Sequence, residues 1–353
     1  MPIMEGVNTL SSIENSPWQG RVDGEGTAHA RWHQRISLVS EERPPEGPHV
    51  ALAGFASHEG VRRNHGRVGA AEAPAALRSA LAGMALHGPL GTGEVALADW
   101  GDVTTVGEAL EEAQADMGHL TARALSTEGN RLTLVLGGGH ETAWASYLGL
   151  REHLGSHGSE ATGSAGSTGT AGTTSDACEP PTWGVLNLDA HFDLRSAPTP
   201  TSGTPFLQMA EAEKAEGRAL NYAVLGIAEP GNTRTLFDTA DALGVQYRTD
   251  LECLEMGTAG VTRFVEEFAA SVDVLYLTID LDVLPAHTAP GVSAPAALGV
   301  DLPIIVAAVR AAAASEKLAL MDVVELNPRF DVDGRTAKSA ARLVSEAAHM
   351  LAR

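Results

Sequence analysis

The sequence predicts an α/β fold of three layers, a mostly parallel central sheet of about eight strands with helices covering both faces. Three observations lead there. Short, near-continuous apolar runs recur along the chain, helix-period stripes lie between several of them, and the motifs richest in Asp and His fall where apolar runs end. Unbroken apolar runs mark strands buried on both faces, whereas a half-exposed sheet would alternate. Strands that alternate with helices build a doubly wound sheet, and such sheets gather ligands at the carboxyl ends of their strands.

Taken in order, residues 1–30 are polar and without periodicity and read as a flexible or loosely docked N-terminal arm. Residues 31–353 read as a single domain. Strands are expected at 49–53, 95–98, 132–136, 183–188, 222–225, 245–247, 274–279 and 318–324. Val106, Leu110, Ala113, Met117, Leu120 and Ala124 follow a 4-3-4-3-4 spacing that makes one apolar stripe on a helix. A second helix is expected over 303–314, with Pro303 tolerated in its first turn. Between them, 155–175 is almost wholly Gly, Ser, Thr and Ala, interrupted by His157 and Glu160. Such a segment buries almost nothing and reads as a flexible insert. A domain linker would fit the composition equally, but the chemical motifs on its two sides belong together.

Composition narrows the function. With 353 residues, 44% hydrophobic and 20% charged, the chain suits one large α/β domain or two small ones. A formal charge of −21 and a sequence pI near 4.9 would repel a phosphate backbone or an anionic membrane surface, so neither nucleic acid nor membrane is an expected partner. No apolar run approaches the ~18 residues that span a bilayer. The opening Met-Pro-Ile-Met-Glu-Gly has neither a basic region nor an apolar core segment, and a cytoplasmic protein is expected. Two cysteines, Cys178 and Cys253, leave no disulfide framework and no cysteine zinc site.

Four motifs carry chemistry. Leu136-Gly137-Gly138-Gly139-His140-Glu141 lacks the Gly-Lys-Ser/Thr of a phosphate loop, so its glycines serve close backbone approach and present His140 beyond them. Asn187-Leu188-Asp189-Ala190-His191-Phe192-Asp193 spaces Asp, His and Asp two apart, so in an extended chain all three point one way. A polar loop with capping aspartates explains one of these groups and not three. Leu277-Thr278-Ile279-Asp280-Leu281-Asp282-Val283 ends an apolar strand in two carboxylates, whose joint burial demands a cation or a shared proton. Asp322-Val323-Val324-Glu325-Leu326-Asn327-Pro328 offers a further carboxylate at a strand end. An oxygen-rich set with a minority of imidazole suits Mn²⁺ better than Zn²⁺, and a pair of such ions ionises a shared water for hydrolysis.

In order and spacing, the Gly-Gly-Gly-His, Asp-Ala-His-Phe-Asp, Asp-Leu-Asp and Glu-Leu-Asn-Pro motifs resemble the arginase/agmatinase/formimidoylglutamase family of ureohydrolases, over roughly 47–353 without the insert. The resemblance implies an arginase-like fold and two Mn²⁺ per subunit. One ion would be held by His140, Asp189, Asp193 and Asp280, the other by Asp189, His191, Asp280 and Asp282. Glu325 would anchor a cationic amidine or guanidine, and Asp193 would pass a proton to the departing amine. Within the family, Glu59 to Gly69, Ser202-Gly203-Thr204-Pro205-Phe206 and Ala289 to Pro295 are similar to the formimidoylglutamase branch. That branch converts N-formimino-L-glutamate and water to L-glutamate and formamide, in histidine degradation.

A substrate with two carboxylates needs local positive charge in so acidic a protein. Arg62 and Arg63, with Asn64 beside them and Arg67 nearby, sit in a Gly-flanked loop where guanidinium groups could meet those carboxylates in paired hydrogen bonds. Surface or interface salt bridges are the alternative use of that loop. Phe206 stands where arginases carry a histidine at the rim of the site, and an apolar ring there suits a formimino C–H and leaves a guanidinium NH₂ unpaired. The rival substrate class is therefore a guanidino compound, acted on by an agmatinase or guanidino-acid hydrolase that releases urea. A non-enzymatic relative is the other rival; it would have lost ligands, and none of the six is missing. A homo-oligomer is the expected assembly.

Overall fold

The computed structural model describes residues 7–8, 16–40, 43–160 and 181–353. Its strands are β1 (Val7–Asn8), β2 (Ile36–Leu38), β3 (His49–Ala56), β4 (Ala96–Thr104), β5 (Asn130–Leu136), β6 (Trp183–Leu188), β7 (Asn221–Ile227), β8 (Gln246–Thr249), β9 (Val274–Asp280) and β10 (Leu318–Val324). Among the described residues they form one ten-stranded sheet in the order β1-β4-β3-β5-β10-β9-β6-β7-β8, with β2 also paired to β4. Every pairing is parallel except that of β1 with β4. All eight expected strands are present. The two additional ones are edge segments of two and three residues, too short to leave a periodic signal.

The sheet separates two apolar layers. Along β3, Val50 and Leu52 point into one, and Ala51, Ala53 and Phe55 into the other. The first layer is closed by helices Ala73–Ala82, Asp250–Ala270, Leu302–Ala314 and Arg335–Leu351, which contribute Leu77, Phe268, Ile305 and Val344 among others. The second is closed by Leu110–Leu125, Thr142–Glu160, Pro205–Ala215 and Arg234–Leu243, through Met117, Leu150, Met209 and Leu236. Strand residues buried on both faces explain why their runs are unbroken. The helix expected from the 4-3-4-3-4 stripe begins at Leu110; Val106 lies before it, 74% exposed, followed by Gly107 in a left-handed turn at φ +59°.

Two segments differ from expectation. Residues 16–30 belong to the arm read as flexible, yet Trp18 is buried, stacks on Trp32 with ring centroids 6.3 Å apart, and donates its indole N–H to Asp99 Oδ2 at 2.7 Å. Asp99 is itself held by the buried Arg78, so a single aromatic anchor ties this stretch to an ion pair in the core. A lone Trp carries no periodicity, which is why the sequence did not show the attachment. In the segment read as an insert, 155–160 continues the helix Thr142–Glu160, while 161–175 lies outside the described residues.

The order of the strands positions the site. The chain lays down β5 and β6 in succession, but β10 and β9 later fill the space between them. The carboxyl ends of β5, β10, β9 and β6 thus stand side by side, and each is followed at once by one of the four motifs.

Candidate metal centre

After β5 the chain turns through Gly137-Gly138-Gly139. A Cβ at Gly138 would lie 1.9 Å from the Ser57 carbonyl oxygen, and one at Gly137 would lie 2.7 Å from Val324 Cγ1. Only glycine lets this turn press against the loop after β3 and the end of β10. It delivers His140, which is buried, with Nδ1 3.2 Å from Asp189 Oδ2, 3.0 Å from Asp193 Oδ2 and 3.2 Å from Asp280 Oδ2. Nδ1 makes a well-directed hydrogen bond to none of them. A nitrogen ringed by carboxylate oxygens that it does not bond is the arrangement of ligands around a cation.

A second group adjoins the first. His191 Nδ1 lies 3.1 Å from Asp282 Oδ2 and 3.6 Å from Asp189 Oδ1. The groups able to hold a metal ion are therefore His140, Asp189, Asp193 and Asp280, and beside them Asp189, His191 and Asp282, with Asp189 common to both. All six expected ligands come together. Their division is tertiary: β6 ends at Leu188, so 189–193 is not extended, and Asp193 turns back at φ +47° to join His140. Likewise β9 ends at Asp280, and the 3-10 turn Leu281–Val283 sends Asp282 to the second group. Asp280, expected in both sets, is grouped with the first.

The electrostatics call for positive charge. Asp280 is pushed well above the usual carboxylate range by burial and then by the charges of Asp282 and Asp189. Burial also raises Asp193 and Asp282, with Asp189 adding to each. Asp189, against the effect of its own burial, is held low by the imidazoles of His140 and His191. His191 is pushed up to about 12 by the Asp282 charge, against burial, and His140 rises through its contacts with three aspartates despite burial. These are anions that must borrow protons in the absence of a cation; two divalent ions would neutralise the four carboxylates. Donor set, crowding and charge all fit a metal pair.

Several supports had no sequence signal. Asn187 Nδ2 donates to Asp189 Oδ2 at 2.9 Å, and Asn232 braces the 189–193 loop by accepting from the Phe192 N–H at 3.1 Å and donating to the Ala190 carbonyl at 2.9 Å. Glu141 is buried and accepts from the Ser57 hydroxyl at 2.8 Å and the Gly60 N–H at 3.0 Å, tying the β5 turn to the arginine loop.

Glu325 follows β10 in a left-handed conformation, φ +68°, which for a non-glycine residue persists only where its surroundings enforce it. Its Oε1 accepts the His140 N–H at 2.9 Å, while Oε2 is buried without a partner. Burial, with Glu141 beside it, pushes the carboxyl up to about 8. Phe206 is wholly buried and meets the His140 ring edge to face at 5.3 Å, with Tyr222 stacked behind it at 4.5 Å. The ring expected at the rim, facing substrate, therefore has no exposed surface and instead packs behind His140.

Arg62 and Arg63, expected in a loop, instead end the short helix Glu59–Arg63, and this segment is heavily paired. Arg62 makes two bonds to Glu59, at 2.6 and 2.7 Å, and one to Glu108 at 2.9 Å. Arg63 bonds Glu59 at 2.9 Å, Glu111 at 2.6 Å and the Pro200 carbonyl at 3.1 Å. Arg67 reaches the Ser293 carbonyl at 3.0 Å and lies over the Phe330 ring at 4.1 Å. Asn64 donates to Ser202 Oγ at 3.3 Å. Beside that contact, Arg195 packs along Gly203, where a Cβ would lie 2.9 Å from its Cδ and 3.3 Å from Asn64 Nδ2. Arg195 is exposed, and among the described residues no carboxylate pairs with its guanidinium.

A family model described as Arginase family matches residues 48–350, taking in every residue of this centre. The chain belongs to the arginase family. Its relatives within that family include the formimidoylglutamase of Rhodococcus jostii (strain RHA1), 48% identical over 94% of both chains, and that of Nocardia farcinica (strain IFM 10152), 49% identical over 93% of this chain and 94% of the relative. Arginase-family folds of known structure superpose on it. The formimidoylglutamase of Bacillus subtilis gives a TM-score of 0.72 at 22% identity, covering 90% of each chain. The Trypanosoma cruzi formiminoglutamase with Mn²⁺ gives 0.70 at 24% identity, covering 86% of this chain and 93% of the other.

Proposed function

We propose that this arginase-family hydrolase cleaves N-formimino-L-glutamate with water to L-glutamate and formamide, using two Mn²⁺ per subunit, as a step of histidine degradation. The observation that carries the reading is Glu325: a buried carboxylate with one free oxygen, held in a strained backbone beside two metal-holding groups. It offers an amidinium a fixed, buried acceptor, whose charged form the substrate's own positive charge would favour. Relatives named formimidoylglutamase at 44–49% identity support the choice of amidine.

When bound, the metal pair would supply Lewis acidity and a water ionised at neutral pH. The chain's own residues do the rest. Glu325 Oε2 accepts from the formimino nitrogen and turns the carbon toward the ligands of the centre, an orientation effect. As the carbon–nitrogen bond to glutamate breaks, Asp193 hands a proton to the leaving amine. Arg195, with Asn64 and Ser202 close by, has among the described residues no acidic partner to displace and is placed to receive a substrate carboxylate. Arg62 and Arg63 would shape the loop, with Asn64 the member of that loop nearest the substrate.

Incubating the Mn²⁺-loaded protein with formiminoglutamate, arginine and agmatine, and assaying formamide and urea, tests the proposal. Formamide from the first and little urea from the others is expected. Urea from a guanidine, with formiminoglutamate untouched, would transfer the centre to the rival substrate class. We propose a cytoplasmic homo-oligomer; Cys253 is a buried free thiol. Among the described residues no helix is long and apolar enough to cross a membrane. A native mass measurement checks the assembly.

A further inference from the structure

Behind the first metal-holding group lies a chain of buried hydroxyls that the mechanism above leaves unused. His140 Nε2 is 3.1 Å from Thr278 Oγ1. Thr278 stands on β9 opposite Asp322 on β10, the two being partners in the strand register. Asp322 Oδ2 accepts the Ser146 hydroxyl at 2.7 Å and the Tyr276 hydroxyl at 2.5 Å. Burial pushes the Asp322 carboxyl above the usual carboxylate range, the Thr278, Tyr276 and Ser146 hydroxyls oppose that rise, and among the described residues Oδ1 has no hydrogen-bond partner. Thr278, Asp322, Ser146 and Tyr276 have no exposed surface, so bulk solvent does not reach these partners.

The directions of these bonds can be worked out from the inventory of donors. An imidazole that gives Nδ1 to a cation carries its one proton on Nε2. Nε2–H must then donate to Thr278 Oγ1. The threonine hydroxyl has a single hydrogen left to give, and a carboxylate is the only neighbour in the chain that can do nothing but accept. With Ser146 and Tyr276 donating to Oδ2, the Thr278 hydrogen goes to Oδ1. With Asp322 ionised, every hydrogen of this chain runs toward it.

We propose that Asp322 is a positioning residue which, acting through the Thr278 hydroxyl, fixes the tautomer of His140 so that Nδ1 faces the metal centre as a bare acceptor. The proposal rests on the reading of that centre as a Mn²⁺ pair. It separates Asp322 from Glu325, three residues further on the same segment, which serves the substrate. In Asp322→Asn the carboxylate is replaced by an amide whose N–H groups can point at Thr278. The threonine hydroxyl then turns toward Nε2, and the ring proton moves to Nδ1, where the cation should sit. Thr278→Val keeps the shape and breaks the chain. Thr278→Ser keeps the hydroxyl.

Mn²⁺ titration of metal-free protein, followed by electron paramagnetic resonance, reads the two groups without any substrate. Asp322→Asn and Thr278→Val are each expected to weaken one of the two Mn²⁺ sites by about 10–100-fold, the usual effect of losing a partner behind a metal ligand. The other site should keep its affinity. Thr278→Ser should bind as the wild type does, and so should Tyr276→Phe, which removes a donor to Asp322 without reversing any bond. Two Mn²⁺ bound at wild-type affinity by folded Asp322→Asn and Thr278→Val would overturn the proposal, and so would a folded Thr278→Ser that binds like Thr278→Val. Should Asp322→Asn fail to fold, the comparison of Val with Ser at 278 decides alone. A wild-type protein that does not take up two Mn²⁺ would instead overturn the reading of the centre itself.

Discussion

Glu325→Gln in the metal-free protein puts the electrostatics of the centre to a direct test. The carboxyl has an ordinary value of 4.5 and is pushed up to about 8 by burial and by Glu141. A folded-state value above the unfolded one means that the stability contributed by the neutral acid is fully present below pH 4.5. It is lost as pH rises through about 8. Glutamine has nearly the same shape, stays neutral throughout, and can still accept the His140 N–H. Variant and wild type should therefore be about equally stable at pH 4.5. Above it the wild type should fall behind by ~1.4 kcal/mol per pH unit, reaching roughly 4–5 kcal/mol near pH 8. Glu325 is only 5% exposed, so solvent screening removes little of that difference. A loss of this size is a large part of the 5–15 kcal/mol that typically holds a domain folded. Urea unfolding of chelator-stripped protein at several pH values from 4.5 to 8 measures it. The same substitution should abolish turnover of the Mn²⁺-loaded enzyme, which would show stability surrendered for function at one side chain. A stability gap that does not widen with pH would refute the argument, and a gap favouring the wild type would reverse it.

Other consequences follow from the same geometry. Asp189 belongs to both metal-holding groups, so Asp189→Ala should leave the protein without bound Mn²⁺ after dialysis, whereas Asp280→Ala should spare the His191 group; elemental analysis distinguishes the two patterns. Losing one charged hydrogen-bond partner costs about 1.5–3 kcal/mol. Arg195→Ala should thus raise KM for the dianionic substrate by about one to two orders of magnitude and lower kcat less, while Arg63→Ala should chiefly lower the melting temperature, since Arg63 ties Glu59 to Glu111. The reverse allocation in steady-state kinetics would return the carboxylate to Arg63. Trp18→Ala should cost ~3–5 kcal/mol in urea unfolding if the segment at 16–30 is anchored as the structure shows, and almost nothing if it is not.

The long strands were legible because each is buried on both faces and so reads as an unbroken apolar run; Trp183–Leu188 and Leu318–Val324 have the bounds expected for them. The short edge strands and the Trp18 anchor were not, since neither two or three paired residues nor a single aromatic makes a pattern. Of the site, the residues that come together as candidate metal-holding groups were legible, and the pairing of Arg62 and Arg63 was not. A positive side chain near the motifs looks available in sequence, but an acidic protein also has carboxylates to spare for it, and Glu59, Glu108 and Glu111 take up Arg62 and Arg63.

What the amino-acid sequence determined alone is the chemistry: an oxygen-rich set of aspartates with two histidines at strand ends, in an order that marks the arginase family. Those properties are local, because a ligand's identity and its neighbour two residues away are written side by side. Only the tertiary structure decided how the set divides. Four strands far apart in the chain must lie adjacent before Asp189 can face both His140 and His191, and Asp193 must enter a left-handed turn to leave its own motif for the other group. The same is true of Thr278 and Asp322, which are 44 residues apart and become partners through strand register alone. Pairing between strands is set by the packing of whole layers, and no spacing within one segment encodes it.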